Sequence, residues 1–429
     1  MRAGGPRGAL DLDGPRGLSR PSNPSGLAPD PEGACVRLYA TCDAGLEPTL
    51  AQELIELGIA DAVPGSRGVA FGGDHNAVYR ANLQSRVANR VLHVIGEPFE
   101  ATQREALYDG IAAIDWDRYV APGATIAVDV TTGASAMKHS AFVGQVVKDA
   151  VCDRLRSERG NRPSVDKENP DVPIAIRLVS DQVTVALDTS GARLHQRGYR
   201  TEAGPAPLRE TLAAGILRLS GWRPGEPLLD PCCGAGTFVI EAAQIARGLQ
   251  PGRARLMPGG RGFAFLKWRG HDPVAFERFV NELDERVSPR GPGLIVGSDV
   301  DGRVIEVAKR NARRAAVFHE IDFEARDLRA VSPRGEGGVV VINPPYGHRL
   351  GEVESLRPLY QALGDVLKQR FTGHTAYALV SDSDLAQALG LKPTARLVLH
   401  NGGIECRLMR FDLYAGTHRT FDGPDQRGA

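Results

Sequence analysis

The sequence predicts an α/β protein in which a smaller α+β module precedes a larger domain built on a parallel sheet. The first observation is that strand-like runs alternate with helical runs after about residue 204, as expected for parallel strands joined by crossover helices. The second is that residues 35–190 mix short strands with amphipathic helices. The third is the length, because 429 residues, 42% of them hydrophobic, suffice for two or three domains with sizeable cores.

Composition and charge exclude several classes of protein. No window approaches about 18 consecutive apolar residues and the N-terminus lacks an apolar signal segment, so we expect a cytoplasmic protein that does not bind membranes. The six cysteines form no CxxC pair and show no zinc-finger spacing with histidine, so we expect free thiols and no metal. Lys+Arg and Asp+Glu both total 52, so a nucleic-acid surface must arise from local segregation of charge.

The N-terminal part divides into a tail and a folded module. Residues 1–34 contain seven glycines and six prolines with almost no apolar periodicity, so we expect a disordered tail. Order is predicted to begin near the strand-like run at Val36. Leucines then recur at helical spacing from Leu46 to Leu57, which predicts a helix that ends at Gly58.

Three further elements are predicted in the module at 35–190. Residues 124–132 alternate as a strand, residues 140–160 form an amphipathic helix stopped by a glycine, and residues 174–191 are typical of a β-hairpin. The apolar side of that helix is predicted to carry Phe142, Val146, Val147 and Val151. A linker at 191–203 then leads to the larger domain.

The larger domain is predicted at 204–415, with a tail at 416–429. Its strand-like runs are PLLDP, LIVGSDV, FEARDL, VVVINPP and TAYALVSD. The chain is predicted to close with an antiparallel hairpin around Asn401-Gly402-Gly403, because two strand-like runs flank this turn sequence.

A glycine turn after the first of these strands predicts a nucleotide-type site. The strand ends at Asp230, and Gly234 and Gly236 precede a helix, so the backbone can approach a ligand closely. A dinucleotide fingerprint would need a third glycine at the position of Val239. The pattern therefore favours S-adenosylmethionine over NAD.

Acidic residues follow the next two strands. Asp299 ends the second strand, where a carboxylate can accept both ribose hydroxyls of a nucleoside. Asp301 is the competing candidate, although it also suits an N-cap for the following helix. Asp327 follows the third strand, where it can meet the adenine amino group. Three carboxylates at successive strand ends indicate a donor pocket more strongly than any one of them.

The sharpest signal is Asn343-Pro344-Pro345-Tyr346, which a buried strand delivers to the carboxyl edge of the sheet. An exocyclic base amine is a poor nucleophile because its lone pair is delocalised into the ring. If the Asn343 side-chain oxygen and the Pro344 carbonyl accept its two N–H groups, the lone pair is free to attack a methyl sulfonium. Tyr346 is predicted to stack on the base. The motif does not distinguish guanine N2, adenine N6 or an amide.

A basic insertion separates the first two strands of the larger domain. We place it at 247–290, and its segment 247–270 contains six Lys or Arg residues, no acidic residue and interleaved aromatic rings. This composition predicts a loop that contacts RNA, the alternative being a solvated loop whose rings pack on the domain. The residues predicted to contact RNA here are Arg261, Lys267 and Arg269.

These residues resemble the THUMP-domain RNA methyltransferases, specifically the bacterial 23S rRNA guanine-N2 methyltransferases. The resemblance covers about residues 36–413. It rests on CDAGLEPTLAQEL, SRVANRVL, YDGIAAIDW, VVKDAVCDRLR, RPSVDKENPD, LDTSGARLHQRGYR, LRETLAA, LLDPCCGAGTF, GSDVDGRVIEVAKRNA and INPPYG. It implies a ferredoxin-like plus THUMP module that binds structured RNA, followed by a Rossmann-like class I methyltransferase domain.

The resemblance also implies roles for individual residues. The methionine end of S-adenosylmethionine would contact Asp230, Gly234 and Gly236. Its ribose would contact Asp299, and its adenine would contact Asp327. Thr211 would close over the donor. Asn343, Pro344 and Tyr346 would hold the target base. In the N-terminal module and linker, where residues 131–200 carry eleven Lys/Arg against eight Asp/Glu, the predicted phosphate contacts are Lys148, Arg197 and Arg200.

We therefore expect an enzyme that methylates guanine N2 in 23S rRNA, as naked RNA or within a pre-50S assembly intermediate, and that acts as a monomer. A tRNA guanine-N2 methyltransferase is the alternative within the same class. A non-catalytic RNA-binding assembly factor with a vestigial donor pocket is the alternative from another class. The intact acidic, glycine and NPPY residues argue against the last.

Overall fold

The computed structural model describes residues 36–200, 208–269, 271–289, 294–346 and 350–415. The tails predicted at 1–34 and 416–429 lie outside these ranges. Within the described residues, no helix combines the length and the apolar character needed to cross a membrane.

The N-terminal module is built on one continuous eight-stranded sheet. The strand order is β2-β3-β1-β4-β8-β7-β5-β6, and neighbours are antiparallel except that β5 runs parallel to β6 and β7. The long strand β4 pairs with β1 on one side and β8 on the other, so it joins the two halves of the module. The strands are β1 Val36–Thr41, β2 Val63–Gly65, β3 Gly68–Gly73, β4 Arg90–Glu100, β5 Thr125–Thr132, β6 Ser164–Val165, β7 Val172–Val179 and β8 Gln182–Asp188.

Four helices cover this sheet: α1 Glu47–Glu56, α2 His75–Gln84, α3 Arg104–Ala112 and α4 Ser140–Arg159. The predicted hairpin is confirmed as β7 and β8, and Gly160 ends α4 in the left-handed conformation that glycine favours. The predicted apolar side of α4 was wrong at Phe142, which is 46% exposed, because the buried stripe begins one residue later at Val143. Val146, Val147 and Val151 are buried as predicted.

The C-terminal domain is a seven-stranded sheet of order β11-β10-β9-β12-β13-β15-β14. The first five strands are parallel and the last two form the predicted antiparallel hairpin. The strands are β9 Leu228–Asp230, β10 Ile295–Asp299, β11 Ile321–Ala325, β12 Val339–Ile342, β13 Thr375–Val380, β14 Ala395–Asn401 and β15 Ile404–Asp412. The helices are α5 Glu210–Leu219, α6 Thr237–Arg247, α7 Pro273–Asp284, α8 Gly302–Arg314, α9 Leu350–Arg370 and α10 Ser383–Ala388.

The strand order reverses between β9 and β12. From β9 the chain moves outward to β10 and β11, and it then returns to the other side of β9 with β12. Open parallel sheets bind ligands in the crevice at the carboxyl ends of the strands on either side of such a reversal. The glycine turn follows β9 and the NPPY motif follows β12, so the topology brings both predicted motifs to this crevice.

One hydrophobic cluster joins the N-terminal half of the module to the C-terminal domain. It contains Leu46 beside α1, Leu212 on α5 and Phe238 on α6, all of them buried. A Cβ atom at Gly215 would lie 2.6 Å from the Leu46 side chain, so α5 needs glycine to pack this closely. A second cluster, with Leu107 and Trp116, lies within the other half of the module, and a third lies against the opposite face of the C-terminal sheet.

The basic insertion binds the C-terminal domain to the N-terminal module. Arg255 donates to the carbonyl oxygens of Ser190 at 2.7 Å and Ala192 at 2.9 Å, and the Trp268 indole donates to the carbonyl of Asp171 at 2.9 Å. Phe263 and Phe265 are buried and stacked on each other. The expectation that these rings are free to stack on RNA bases was therefore wrong, because the same rings form the contact between the two parts of the protein.

Candidate functional site

The glycine turn opens a space at the end of β9. Gly234 and Gly236 have φ of +52° and +87°, in the left-handed region that disfavours residues with side chains. A Cβ atom at Gly234 would meet nothing within 4 Å, so this position faces open space. A Cβ atom at Gly236 would lie 3.2 Å from the Ala308 Cβ of α8, so the second glycine allows α6 and α8 to approach.

Asp230 lies at the sealed end of this turn. Its side chain is 2% exposed, and its Oδ1 accepts the backbone N–H of Cys232 at 3.1 Å. Burial, together with the negative charge of Asp299, raises the pKa of Asp230 to about 8. A carboxyl group in this state is poised to ionise when a positive ligand group arrives.

Asp299 connects the ends of two neighbouring strands. Its Oδ2 accepts the N–H of Gly234 at 3.1 Å, and its Oδ1 accepts the N–H of Asp301 at 3.1 Å. Asp301 caps α8 by accepting the N–H of Arg303 at 2.9 Å, as predicted for the competing candidate. The structure thus brings Asp230, Gly234 and Asp299 together, and it gives Asp301 a separate structural role.

Asp327 is exposed after the end of β11. Its side chain accepts the N–H of Arg329 at 2.8 Å and forms an ion pair with that side chain at 3.1 Å. It therefore caps a short 3₁₀ turn, and a contact with adenine would have to be made beside this arginine.

The acceptor motif is held by contacts that the sequence did not reveal. The Tyr346 hydroxyl donates to the Asn343 Oδ1 atom, and the Tyr360 hydroxyl of α9 donates to the Pro345 carbonyl at 3.1 Å. Tyr346 is 5% exposed and also bonds to Asn401 at the tip of the β14–β15 hairpin. The predicted stacking of Tyr346 on a base does not agree with this burial, and in this structure the residue orients Asn343 instead. The contacts of Tyr360 and Asn401 with this motif gave no sequence signal, because the two residues come from distant elements.

Thr211 is fully buried at the start of α5. Its hydroxyl donates to the Asn89 Oδ1 atom of the N-terminal module at 2.8 Å. In this structure the side chain therefore joins the two parts of the protein, and a role in closing over the donor remains a prediction.

Two of the predicted RNA contacts were wrong because the side chains are committed inside the protein. Arg197 is 2% exposed and donates to the carbonyls of Leu194 at 2.8 Å and Arg86 at 2.6 Å. Arg200 donates to the Leu208 carbonyl at 2.7 Å and forms an ion pair with Glu210 at 3.0 Å. These arginines stabilise the junction between the module and α5.

The other predicted RNA contacts keep surface exposure. Lys148 pairs with Asp149 at 3.2 Å, Lys267 with Asp171 at 3.0 Å and Arg269 with Asp117 at 3.8 Å, while Arg261 donates to Gln196 at 3.4 Å. Exposed ion pairs of this kind are weak and exchange partners readily. Contact between these four residues and RNA remains a prediction.

The fold and the crevice define a Rossmann-like methyltransferase domain preceded by an α+β module. Comparison with protein families agrees. A methyltransferase domain described as RMKL-like matches residues 197–410, an RlmL ferredoxin-like domain matches 37–92, and a THUMP domain matches 101–188. The chain belongs to the family of THUMP-domain methyltransferases that carry this RMKL-like domain.

Individual relatives show how much of the chain is shared. A putative RNA methyltransferase of Synechocystis, slr0064, is 39% identical over 88% of this chain and 96% of its own length. The ribosomal RNA large subunit methyltransferase K/L of Methylococcus capsulatus is 43% identical over 87% of this chain, which spans only 51% of that relative. The crystal structure of SMU.472, a putative methyltransferase complexed with SAH, has a TM-score of 0.80 at 32% identity, covering 89% of this chain and 99% of that one.

Proposed function

We propose that this protein transfers a methyl group from S-adenosylmethionine to the exocyclic N2 of a guanine in 23S rRNA. The observation that carries the proposal is the meeting of two motifs at one crevice. The glycine turn follows β9, the NPPY motif follows β12, and these strands are neighbours at the point where the strand order reverses. A methyl donor and an acceptor base bound there would be adjacent.

The residues at the turn fit the donor. S-adenosylmethionine carries a cationic sulfonium and ammonium, a carboxylate and a ribose diol. The open space at Gly234 allows close approach to the backbone, and Asp299 offers carboxylate oxygens to the diol. Asp230 becomes a counter-charge for the cationic end once it ionises. When bound, the donor supplies an electrophilic methyl group.

The residues at the NPPY motif fit an amine acceptor. One lone pair of the Asn343 Oδ1 atom accepts the Tyr346 hydroxyl, which fixes the amide and leaves the second lone pair for an N–H group of the substrate. Tyr360 holds the Pro345 carbonyl, and so fixes the turn that presents Pro344. Bonds to both N–H groups turn the amine lone pair toward the donor. The methylated nitrogen becomes acidic, so no side-chain base is needed before transfer.

The choice of 23S rRNA and guanine N2 rests on similarity. The K/L relatives are named for the ribosomal RNA of the large subunit. The guanine-N2 position is what the resemblance of the sequence motifs implies. Nucleoside mass spectrometry of a deletion strain tests the assignment, and the expected result is loss of N2-methylguanosine from 23S rRNA. Loss from tRNA would support the tRNA alternative, and loss of N6-methyladenosine would mean a different acceptor. Unchanged modification of both RNAs would support the non-catalytic alternative.

Asn343→Ala tests the acceptor role directly. Removal of one aligned hydrogen-bond acceptor should lower the methylation rate by about 10²–10³, by analogy with the loss of an oxyanion-hole donor. Affinity for S-adenosylmethionine, measured by calorimetry, should stay nearly unchanged. Tyr346→Phe should lower the rate less, since it removes only the hydroxyl that orients the amide.

The control is Asn281→Ala, an exposed asparagine on α7. Full activity in that variant is expected. Full activity in Asn343→Ala would show that the NPPY motif does not hold the acceptor.

A further inference from the structure

A tight turn at residues 193–197 lies between the N-terminal module and the C-terminal domain. The N–H of Gln196 donates to the Arg193 carbonyl at 3.1 Å, and the N–H of Arg197 donates to the His195 carbonyl at 2.8 Å. Leu194 is buried, whereas Arg193 is exposed. The turn therefore holds Arg193 on the surface from a fixed backbone.

The turn is attached to the first residues of α5 through Asn89. The Leu194 N–H donates to the Asn89 carbonyl at 2.8 Å, and the Thr211 hydroxyl donates to the side chain of the same asparagine at 2.8 Å. Arg209, which precedes α5, donates to Asp43 at 2.8 Å. Arg193 and Arg209 are thus presented by two segments that meet at one residue.

Arg209 also lies beside the tip of the β14–β15 hairpin. A Cβ atom at Gly402, at the tip of the β14–β15 hairpin, would lie 3.5 Å from the Arg209 Nη2 atom. The neighbouring Asn401 bonds to Tyr346, whose hydroxyl binds Asn343. The hairpin tip therefore lies next to Arg209 on one side and contacts the acceptor motif on the other.

The turn and the start of α5 carry a concentration of positive charge. The pKa of His195 is lowered to about 3 by burial and then by the charges of Arg209 and Arg193, with Arg197 and Arg200 adding to the effect. Arg197, Arg200 and Arg209 each face a carboxylate. No ion pair involves Arg193 within the described part of the chain, and Arg261 touches the turn only through Gln196. Arg193 and Arg261 are therefore exposed at the turn without a carboxylate partner among the described residues, and Arg209 lies between the turn and the hairpin tip.

We propose that Arg193, Arg209 and Arg261 form a phosphate-binding surface for the RNA strand that carries the target base. The inference rests on the proposed function and extends it by assigning a path for the substrate. The backbone next to the target base would pass the partly exposed Arg209 side chain, between the turn and the hairpin tip, while the base enters the crevice at Asn343. Arginine suits this task because its planar fork binds phosphate oxygens in pairs.

Arg193 is the residue to test, because its removal breaks no ion pair with a buried carboxylate. Removal of Arg209, by contrast, would leave the buried Asp43 without its partner. The full chain is compared with Arg193→Ala and Arg193→Glu on in vitro transcribed 23S rRNA. For Arg193→Ala we expect the KM for RNA to rise about 3- to 10-fold and the salt dependence of RNA binding to lose roughly one phosphate contact. Arg193→Glu should weaken binding further. Affinity for S-adenosylmethionine should not change in either variant.

The matched control is Arg223→Glu. Arg223 is also exposed, but it follows the far end of α5, a helix of ten residues or about 15 Å. An unchanged KM and salt slope in Arg193→Glu would overturn the inference, as would an effect equal to that of the control. Failure of the wild-type protein to methylate 23S rRNA would sink the proposed function instead, and a fluorescence titration of RNA binding by the variants would still decide the role of Arg193.

Discussion

Asp230 and Asp299 end neighbouring strands and differ in access to solvent. Asp230 is sealed beneath the glycine turn, whereas Asp299 is partly exposed and accepts two backbone N–H groups. A buried carboxyl group opposes its own ionisation, and a carboxylate held by N–H donors is already organised for a ligand. The two acids are therefore suited to different ends of a donor molecule, and separate variants test them.

Asp230→Asn should make stability less dependent on pH. The pKa of Asp230 is raised to about 8 by burial, so the folded state keeps a proton that the unfolded state releases above about pH 4. Folding stability therefore falls as the pH rises from 4 to 8, by at most about 1.4 kcal/mol per pH unit from this group. Asparagine keeps the acceptor for Cys232 and removes the titration. Urea unfolding of both proteins at pH 5 and 8 should show the variant gaining at pH 8, and a pH-independent difference would contradict the raised pKa.

Asp299→Ala should weaken binding of S-adenosylmethionine. Loss of hydrogen bonds from ribose to a carboxylate costs about 1.5–3 kcal/mol, or roughly 10- to 150-fold in affinity. Asp301→Ala, in the same loop, removes only the cap of α8 and serves as the control. If calorimetry finds the affinities of the two variants equally reduced, the loss is due to a change in loop structure. If the affinity of Asp299→Ala is unchanged, Asp299 does not contact the donor.

At the scale of elements, α6 links the crevice to the N-terminal module. Its first turn follows Gly236, and one turn later the buried Glu241 accepts the Tyr199 hydroxyl at 3.0 Å. Arg197 and Arg86 approach the same carboxylate at 3.7 and 3.9 Å. Burial lowers the pKa of Arg86 to about 10, which leaves it charged at neutral pH. A helix that begins at the glycine turn is thus held by charges from outside its own domain.

Glu241→Ala should destabilise the protein strongly. Removal of the carboxylate leaves two buried guanidinium groups without a counter-charge, a change that costs about 3–5 kcal/mol. Glu241→Gln should also be destabilising, though less, because it keeps an acceptor for Tyr199. The free energy of unfolding from urea titration checks this, with the exposed Glu282→Ala on α7 as control. A loss no greater than that of the control would show that the buried charges are compensated elsewhere.

The elements were predicted better than the contacts between them. The alternation after residue 204 fixed the parallel strands and crossover helices, and glycine at position 160 marked a helix end. Phe142 was misplaced because apolar residues occur at both positions 142 and 143, so the sequence pattern alone does not show where the buried stripe of α4 begins. Packing buries only Val143. Arg197 was predicted to contact RNA, and the rings of the basic insertion were predicted to be available to bases, because composition does not distinguish a solvent-facing surface from a buried junction.

The motifs of the crevice were predictable for a different reason. The glycines, Asp299 and NPPY lie within short segments at strand ends, where spacing along the chain determines position in space. Tyr360, Asn401 and Glu241 support those motifs from other elements, and their contacts depend on tertiary packing. Sequence reasoning therefore identified the groups expected to touch a ligand and missed the groups that hold them.

At the scale of the whole molecule, the two sheets are not independent. The core cluster that includes Leu46 continues through Leu212 and Phe238 into the C-terminal domain, while the cluster around Leu107 stays within one half of the module. Removal of the N-terminal module would expose part of the catalytic core, so a truncated chain is a poor test of RNA binding. Point variants within the full chain are the better instrument.

Leu46→Ala and Leu107→Ala form a matched pair. Both leucines are fully buried, so each substitution should cost about 2–5 kcal/mol. Hydrogen exchange should separate them, because Leu46→Ala should speed exchange in peptides from β9 and α6 as well as from α1. Leu107→Ala should raise exchange within about residues 101–188 alone. Equal patterns would mean that the molecule unfolds as a single unit or that the shared core carries little stability.

The three tryptophans lie in three different parts of the molecule. Trp116 lies in the core around Leu107, Trp222 lies in the C-terminal domain, and Trp268 packs against both clusters at the insertion. Indole emission shifts to longer wavelength when water reaches the ring. A variant that keeps only Trp268 should therefore show a red shift in emission if the contact between the insertion and the N-terminal module opened. The basic insertion that holds the N-terminal module to the C-terminal domain thus carries its own fluorescent probe. Its emission can report in real time whether the module and the domain separate when RNA binds.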